Sequence, residues 1–344
     1  MANTDIVIDM GSKNTLLVSG KKVLLEKPSV VTVDSETWEP VYYGDKALET
    51  VGRTPDSLSP VFPIKYGVIA DYEVAEYMLK QYMSEAFGNR IVKPKVMITM
   101  PCGVTEMQHH SVMRVAEIAG GRSAATIESP LASALSLGID FSAPKGNLIV
   151  DIGAGTTDIA TISMGGIAAC DSIKTASNDF DESIIKYVKR EHNILIGALA
   201  AEKIKMQIGT AIPHKFEVAI TAKGVNISTG LPTTFEITAN EVYEAISDQC
   251  MAILNGIRKV IEKTEPDIVS DIMTEGIYLT GGGALLNNLP QFLENTIKTK
   301  VILAKNPKHT AAQGAAMALK DPKLLKNTDY LYRAIQQLQI DVNN

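Results

Sequence analysis

Thr4-Asp5-Ile6-Val7-Ile8-Asp9-Met10-Gly11-Ser12-Lys13-Asn14-Thr15 is a short β-branched run that ends in a carboxylate and then turns through a glycine. The pattern recurs 142 residues further along, in Asn147-Leu148-Ile149-Val150-Asp151-Ile152-Gly153-Ala154-Gly155-Thr156-Thr157. Each copy predicts a strand, a tight loop and a second strand. The shared form is D-x-G-[SA]-[KG]-[NT]-T, with Asp9 and Asp151 at matching positions. The repeat indicates duplication of one α/β unit.

The segments around the two copies alternate between strand and helix patterns. Asp71 is placed to cap a helix that runs to residue 87, and residues 95–100 have the pattern of a buried strand. Thr105 begins a T-x-x-Q capping box, which predicts another helix start. Ser129 is predicted to be an N-cap, because a proline follows it at the first helical position. Strands followed by helices predict a layered α/β fold.

The composition is that of a globular protein. The chain has 344 residues, of which 45% are hydrophobic and 21% charged, enough for one large or two medium domains. Its net charge of −6 argues against a nucleic-acid partner. No signal-peptide pattern and no run of about 18 uncharged apolar residues is present, so we expect a cytoplasmic chain. Cys102, Cys170 and Cys250 lack CxxC spacing, so the sequence predicts neither a metal pair nor a redox pair.

The two glycine loops predict a phosphate site. Backbone N–H groups are unshielded where a glycine follows a strand, and several that point one way bind phosphate oxygens. The carboxylates of Asp9 and Asp151 repel such an anion unless a cation lies between them, so we expect Mg²⁺ held through water. An ordinary turn with a capping aspartate is the alternative for either loop. No P-loop motif occurs and neither loop leads into a helix, which excludes P-loop and Rossmann enzymes.

A third glycine corner, Gly281-Gly282-Gly283-Ala284, follows the strand pattern of residues 276–280. Together with the two hairpins it resembles the phosphate and adenosine motifs of the superfamily that contains actin, heat-shock chaperones and sugar kinases. Within that superfamily the chain is similar to the MreB-like bacterial actins, from about residue 5 to about residue 325. Segments typical of MreB-like proteins are Glu26-Lys27-Pro28-Ser29-Val30, Gly67-Val68-Ile69-Ala70-Asp71-Tyr72, Ser228-Thr229-Gly230-Leu231-Pro232 and Ser270-Asp271-Ile272.

The resemblance implies an actin-like ATPase fold, in which two duplicated RNase H-like domains surround a nucleotide cleft. Domain I is expected over residues 1–140, with a small subdomain near 30–70. Domain II is expected over 141–325, with a small subdomain near 180–245, and a helical tail over 326–344. ATP and Mg²⁺ are expected between the domains. ATP binding is expected to close the cleft and favour polymerisation, and hydrolysis to loosen it.

The resemblance also implies roles for individual residues. Asp9 and Asp151 match aspartates that organise Mg²⁺ through water, and Glu128 matches the residue that positions the attacking water. The expected catalytic residues are therefore Glu128, Thr156 and Asp151. Glu202 and Lys205 match contacts to ribose and adenine. The full set of expected nucleotide-binding residues is Gly11, Ser12, Lys13, Asn14, Thr15, Gly153, Ala154, Gly155, Thr156, Thr157, Glu202, Lys205, Gly281, Gly282, Gly283 and Ala284.

Three of these positions, and also Gly314, have a second interpretation that the sequence leaves open. Glu128 stands just ahead of a predicted helix, where the helix dipole alone favours a carboxylate. Glu202 and Lys205 are three residues apart, the spacing of a solvated pair on one helix face. Gly314 matches the second connection between the domains, where a hinge needs little bulk, and close helix packing also requires a glycine.

The chain departs from the family pattern at three places. Ser129 replaces the usual second glutamate after Glu128, and Lys13 replaces a small residue in the first phosphate loop. Ser177 and Asn178 stand where the family commonly has Gly-Asp. These differences are expected to slow or retune hydrolysis. Lys13 itself either reaches a phosphate or faces solvent at the loop tip.

The resemblance implies a cytoskeletal ATPase that polymerises with itself and directs cell shape and cell-wall synthesis. The expected location is peripheral, at the inner face of the cell membrane, with cell-wall elongation and membrane-anchored morphogenesis proteins as partners. Ile91 and Val92 lie between basic residues where MreB-like proteins carry a membrane-insertion loop, and the start of a strand is the alternative. A small-molecule kinase of the same superfamily and a catalytically weakened nucleotide-binding scaffold are the competing functions.

Overall fold

The computed structural model describes residues 5–88, 93–140, 143–216 and 218–320. The elements of the first half are β1 (Ile6–Met10), β2 (Asn14–Ser19), β3 (Lys22–Pro28), β4 (Val31–Asp34), β5 (Pro40–Tyr43), α1 (Asp45–Thr50), β6 (Leu58–Val61), β7 (Ile64–Lys65), β8 (Val68–Ile69), α2 (Tyr72–Phe87), β9 (Lys95–Met100), α3 (Glu106–Ile118), β10 (Ser123–Glu128) and α4 (Ser129–Ser136). Ile91, Val92 and the predicted tail lie outside the described residues.

The second half has a similar mixture of elements. They are β11 (Asn147–Ile152), β12 (Thr157–Ser163), β13 (Gly166–Ile173), α5 (Ser177–Glu191), β14 (Ile194–Leu195), α6 (Ala198–Ile208), β15 (Ala219–Asn226), β16 (Pro232–Thr238), α7 (Ala239–Glu262), α8 (Pro266–Glu275), β17 (Ile277–Thr280), α9 (Leu289–Ile297), β18 (Val301–Leu303) and α10 (Thr310–Lys320). Short 3₁₀ helices cover Gly282–Leu285 and Pro307–His309.

Two five-stranded sheets with the same internal order form the centre of the protein. The first sheet runs β10-β9-β1-β2-β3, and the second runs β18-β17-β11-β12-β13. In the first sheet β1 is parallel to β9 and antiparallel to β2. In the second sheet β11 has the same relations to β17 and β12. The predicted α/β class is therefore confirmed, and the matching strand orders support duplication of one unit.

The two predicted phosphate loops close in the same way. The Gly11 N–H donates to the Asn14 carbonyl at 3.0 Å, and the Gly153 N–H donates to the Thr156 carbonyl at 2.8 Å. Added Cβ atoms would lie 2.7 Å from the Asn14 oxygen at Gly11 and 3.2 Å from the Thr156 oxygen at Gly153. Each glycine therefore lets the chain reverse tightly between two antiparallel strands.

Smaller sheets lie at the periphery of each half. In the first half β5, β4 and β6 form a three-stranded sheet, and β7 pairs with β8. In the second half β14, β15 and β16 form another three-stranded sheet. They fall within the predicted small subdomains near 30–70 and 180–245. The domain boundaries themselves stay predictions.

The two large sheets are joined through helices α4 and α10. One hydrophobic cluster contains Val7 of β1, Ile149 of β11, Ala132 of α4 and Ala315 of α10. The two helices approach so closely that a Cβ on Gly314 would lie 1.7 Å from the Ala132 carbonyl oxygen. Close helix packing therefore requires the glycine at 314, whether or not the segment also acts as a hinge.

The helix starts follow the sequence with one exception. The Asp71 side chain accepts from the Val74 N–H at 3.1 Å at the start of α2, and Thr105 forms the predicted capping box of α3. The prediction of Ser129 as an N-cap is wrong, because Ser129 is already helical and Glu128 is the N-cap. Strand β10 leads directly into α4 without a loop residue to serve as the cap.

Candidate functional site

A cavity of about 380 Å³ lies where the carboxyl ends of the two large sheets meet. This volume is within the usual range of small-molecule sites, roughly 300–1,000 Å³. Both halves of the chain contribute to its walls. The sequence-predicted residues that line it are Asp9, Gly11, Ser12, Lys13, Asn14, Asp151, Gly153, Ala154, Gly155, Thr156, Glu202, Lys205, Gly281, Gly282 and Gly283.

Four sequence-predicted residues are not part of the cavity lining, namely Thr15, Thr157, Ala284 and Glu128. The Thr15 hydroxyl hydrogen-bonds with the Ser29 hydroxyl at 2.8 Å. The Thr157 hydroxyl donates to the Thr175 carbonyl at 2.7 Å. Both threonines follow the loop and are fully buried in the second strand of the hairpin. Their side chains therefore hold the loops in place, and their binding roles stay predictions.

Asp9 and Asp151 line the same cavity although they come from different sheets. Each lies opposite a threonine of the neighbouring parallel strand, Thr99 for Asp9 and Thr280 for Asp151. The Thr99 hydroxyl donates to Asp9 Oδ1 at 2.9 Å. Burial raises the pKa of Asp9, and burial with the charges of Asp158 and Asp9 raises the pKa of Asp151 well above its usual value. Asp151 is buried and Asp9 is half-buried, and two carboxylates that repel each other in such surroundings form a site that favours a cation.

The glycine loops approach each other too closely for side chains. A Cβ on Gly155 would lie 2.4 Å from Ser12 Oγ, so the two predicted phosphate loops are in contact. Gly281 has a φ of +83°, and a Cβ there would lie 2.2 Å from the Ile152 carbonyl oxygen. A Cβ on Gly283 would lie 2.5 Å from the Ile152 side chain. Glycine at these corners keeps backbone groups, rather than side chains, at the cavity wall.

The predicted catalytic side chains lie at different depths. The Thr156 hydroxyl donates to Asp158 Oδ2 at 3.0 Å, which leaves the Thr156 oxygen as an acceptor at the cavity wall. Burial raises the pKa of Asp158 to about 6 and that of Glu128 to about 7. Glu128 is buried, and its neighbour Ser129 lines the cavity. A carboxylate with a pKa near neutrality is suited to accept a proton.

Two ion pairs extend from α6 in different directions. Glu202 pairs with Lys13 of the first predicted phosphate loop, and this ion pair links the two halves across the cavity. Lys205 pairs with Asp181 of α5 at 2.8 Å and donates to the Ser177 hydroxyl at 2.7 Å. Burial lowers the pKa of Lys205 and raises that of Asp181. Glu202 and Lys205 therefore do not form the solvated pair that was the alternative interpretation.

Sequence reasoning missed several residues at the cavity. His309 hydrogen-bonds to Glu26 at 3.1 Å, and this contact joins the segment before α10 to β3. No local pattern predicts that either residue lies at the cavity. Asp158 did carry a signal, because it stands where the first copy of the repeat has Leu16. A charged residue that replaces an apolar one in a duplicated strand indicates a contact that only one copy makes.

Two properties of the described residues limit the kinds of site that are present. Within these ranges no three His, Cys, Asp or Glu side chains are grouped closely enough to hold a metal ion by themselves. A metal at Asp9 and Asp151 therefore needs ligands from water or from a bound molecule. None of the helices in the described ranges is both long enough and apolar enough to cross a membrane.

Comparison with known proteins gives a consistent result. The family model described as MreB/Mbl protein matches residues 3–327. The cell shape-determining protein Mbl of Bacillus subtilis is 39% identical over 317 residues, covering 92% of this chain and 95% of Mbl. MreB of Escherichia coli K12 is 36% identical over 327 residues, covering 93% and 94%. MreB5 of Spiroplasma citri, solved with ADP and with AMPPNP, superimposes with a TM-score of 0.88 at 32% identity; in the ADP form 95% of this chain and 98% of MreB5 are covered. The chain belongs to the MreB/Mbl family of actin-like cytoskeletal proteins.

Proposed function

We propose that the chain binds ATP with Mg²⁺ in the cavity between the sheets, hydrolyses it slowly and polymerises into filaments. The observation that carries this proposal is the convergence of Asp9 and Asp151, from the two copies of one motif, on a single cavity lined by three glycine corners. The binding of ADP and AMPPNP by MreB5 of Spiroplasma citri supports the choice of an adenine nucleotide.

The residues at the cavity fit a magnesium ion. Mg²⁺ is commonly held by one or two carboxylates together with waters and substrate phosphates. Asp9 and Asp151 are two such carboxylates, and burial raises the pKa of each, so a nearby cation stabilises their charged forms. Bound there, Mg²⁺ neutralises charge on the phosphates. The absence of a third metal-binding side chain among the described residues agrees with coordination through water.

We assign to the remaining groups the roles that the family resemblance implies, and all of them except Glu128 line the cavity. Backbone N–H groups of the loops at Gly11 and Gly153 bind phosphate oxygens. Glu202 and Lys205 of α6 contact the ribose and adenine, and the glycines at 281–283 leave room for the adenosine. The Thr156 oxygen orients the attacking water, and Glu128 accepts its proton as the bond to the γ-phosphate breaks.

The biological role follows from the family. Mbl of Bacillus subtilis and MreB of Escherichia coli are cell shape-determining proteins. We assign the same role to this chain: filaments of it lie against the inner face of the cell membrane and guide cell-wall synthesis. Ile91 and Val92 supply the membrane contact. A single loop gives weak binding, and a filament that aligns many loops gives stable attachment by avidity.

Light scattering and phosphate release, measured together with and without ATP, test the proposed function. Scattering that rises with ATP, together with slow phosphate release, supports a cytoskeletal ATPase. Filaments without phosphate release would show a nucleotide-binding scaffold instead. ADP production that depends on an added acceptor, without filaments, would show a kinase. Asp151→Asn is the matched variant, because it removes the charge at the proposed metal site while conserving shape, and it should abolish both signals.

A further inference from the structure

Cys102 and Cys170 are 68 residues apart in the sequence, but both are neighbours of Asp158, which lines the cavity. Cys102 follows β9 of the first sheet, and Cys170 lies in β13 of the second. Asp158 lies between them: its Oδ1 accepts from the Cys102 N–H at 3.0 Å. In the β12–β13 register Asp158 is opposite Ser172 and Ala160 is opposite Cys170. Alternate residues share a face, so Asp158 and Cys170 are diagonal neighbours on one face of the sheet.

The two thiols interact, although their spacing in the sequence does not predict a pair. This interaction is the largest cause of the change in the pKa of each thiol. It lowers the pKa of Cys170 to about 7 and, together with burial, raises the pKa of Cys102 well above its usual value. Cys170 is partly exposed, whereas Cys102 is buried. An accessible thiolate next to a protonated thiol is the arrangement of an attacking and a resolving cysteine.

We propose that Cys102 and Cys170 form a reversible disulfide when the protein meets hydrogen peroxide, and that this bond holds the two sheets in one relative position. The Cys170 sulfur attacks a peroxide oxygen and the O–O bond breaks. Cys170 becomes a sulfenic acid, and the released hydroxide leaves as water after taking up a proton. The Cys102 sulfur then attacks the sulfenic sulfur, and the S–O bond breaks. The hydroxyl group leaves as a second water with the Cys102 proton. Two thiols are oxidised, and one peroxide is reduced to two waters.

The position of the pair gives the bond a mechanical effect. It ties the segment after β9 to β13, so it directly connects the first sheet with the second. Asp158, which bonds the Cys102 backbone, also holds the Thr156 hydroxyl at the cavity wall. A fixed distance between the sheets limits opening and closing of the cavity. The resulting loss of turnover rests on the proposed function, whereas formation of the disulfide does not.

Cys250→Ser provides the background for the test. Cys250 lies in the hydrophobic core of the second half, and burial raises its pKa to about 12, so it does not take part. The purified Cys250→Ser protein is treated with hydrogen peroxide and its intact mass is measured. We expect the loss of two hydrogens, a peptide that links Cys102 to Cys170, and recovery of both thiols with dithiothreitol. The thermal unfolding midpoint should rise on oxidation and fall again on reduction.

Oxygen added to Cys170 without a linked peptide would contradict formation of the Cys102–Cys170 disulfide. A disulfide between two chains would also contradict it. A linked peptide without a rise in the unfolding midpoint would overturn the claim that the bond restrains the sheets. The variant that also carries Cys170→Ser should show neither change. If the Cys250→Ser protein does not fold, wild-type protein replaces it and should form the same disulfide. Phosphate release should fall at least about fivefold on oxidation. Equal phosphate release from the oxidised and reduced proteins would overturn the claim that the disulfide restrains the sheets. No phosphate release from the reduced protein would overturn the proposed function, but it would not contradict formation of the disulfide.

Discussion

Phosphate release should depend on pH through the buried carboxyl of Glu128. Burial raises its pKa to about 7, from an ordinary value of 4.5. A proton acceptor is active only when it is deprotonated, so the rate should rise with pH. For a single group with this pKa, the deprotonated fraction increases about tenfold between pH 6 and pH 8. We therefore expect about a tenfold increase in phosphate release over this interval, measured at saturating ATP and Mg²⁺.

The same burial predicts an effect on stability. A folded-state pKa above the unfolded value means that the folded protein loses stability as the pH rises from about 4.5 to about 7. Above pH 7 the full cost of the buried charge is present, at most about 3 kcal/mol. Glu128→Gln removes that charge, so it should raise the free energy of unfolding at pH 8 and change it little at pH 4. Phosphate release by this variant should be at least about tenfold slower and independent of pH.

The control for both experiments is Asp158→Asn. Asp158 is a second buried carboxyl that accepts a hydrogen bond from the Thr156 hydroxyl, and burial raises its pKa to about 6. If Asp158 rather than Glu128 set the pH dependence, the midpoint of the rate profile would lie near pH 6 and the Asp158→Asn variant would lose it. A wild-type rate that is the same at pH 6 and pH 8 would refute the assignment of Glu128 as the proton acceptor.

Three further changes test other parts of the structure. Gly314→Ala forces a methyl group against a backbone oxygen 1.7 Å away and should lower the free energy of unfolding in urea by about 3 kcal/mol or more; a purely hinge-related glycine predicts little change. Alanine variants of Lys13 and Glu202, alone and combined, should give a coupling energy of about 0.5–1 kcal/mol that declines with salt; additive effects would exclude a functional ion pair. Replacing Ile91 and Val92 with serine should abolish co-sedimentation of filaments with anionic liposomes while ATP binding is unchanged, and unchanged sedimentation would contradict the membrane contact.

The local structure of the two glycine loops at Gly11 and Gly153 could be predicted because it depends on neighbouring residues. A β-branched run, a glycine at the turn and a threonine at the next strand are enough to define each hairpin. The sequence also predicts that Asp9 and Asp151 line one cavity, since two copies of one unit place equivalent loops at equivalent edges of their sheets. The error at Ser129 had a local cause as well. A serine followed by proline is typical of an N-cap, but strand β10 ends at Glu128 and occupies that position.

Contacts between the two halves could not be predicted in the same way. His309 and Glu26 are separated by 283 residues, and neither belongs to a pattern that identifies the other. The spacing of Cys102 and Cys170 does not predict that their thiols interact, because cysteine spacing is informative only when both cysteines lie in one local segment. Their proximity depends on how the end of β9 meets β13, and that arrangement is a property of the assembled sheets.

Differences between the two copies of the repeat are a usable signal for such contacts. Lys13 corresponds to Gly155 in the second copy, and Asp158 corresponds to Leu16 in the first. In both cases the charged member makes a contact with the other half of the protein. Lys13 pairs with Glu202, and Asp158 accepts from the backbone after β9. Residues that are the same in both copies form the same hairpin in each half. A contact between the halves that only one copy makes therefore needs a residue that differs between the copies. In a duplicated fold, a charge present in only one copy is therefore a reasoned candidate for a contact across the cleft.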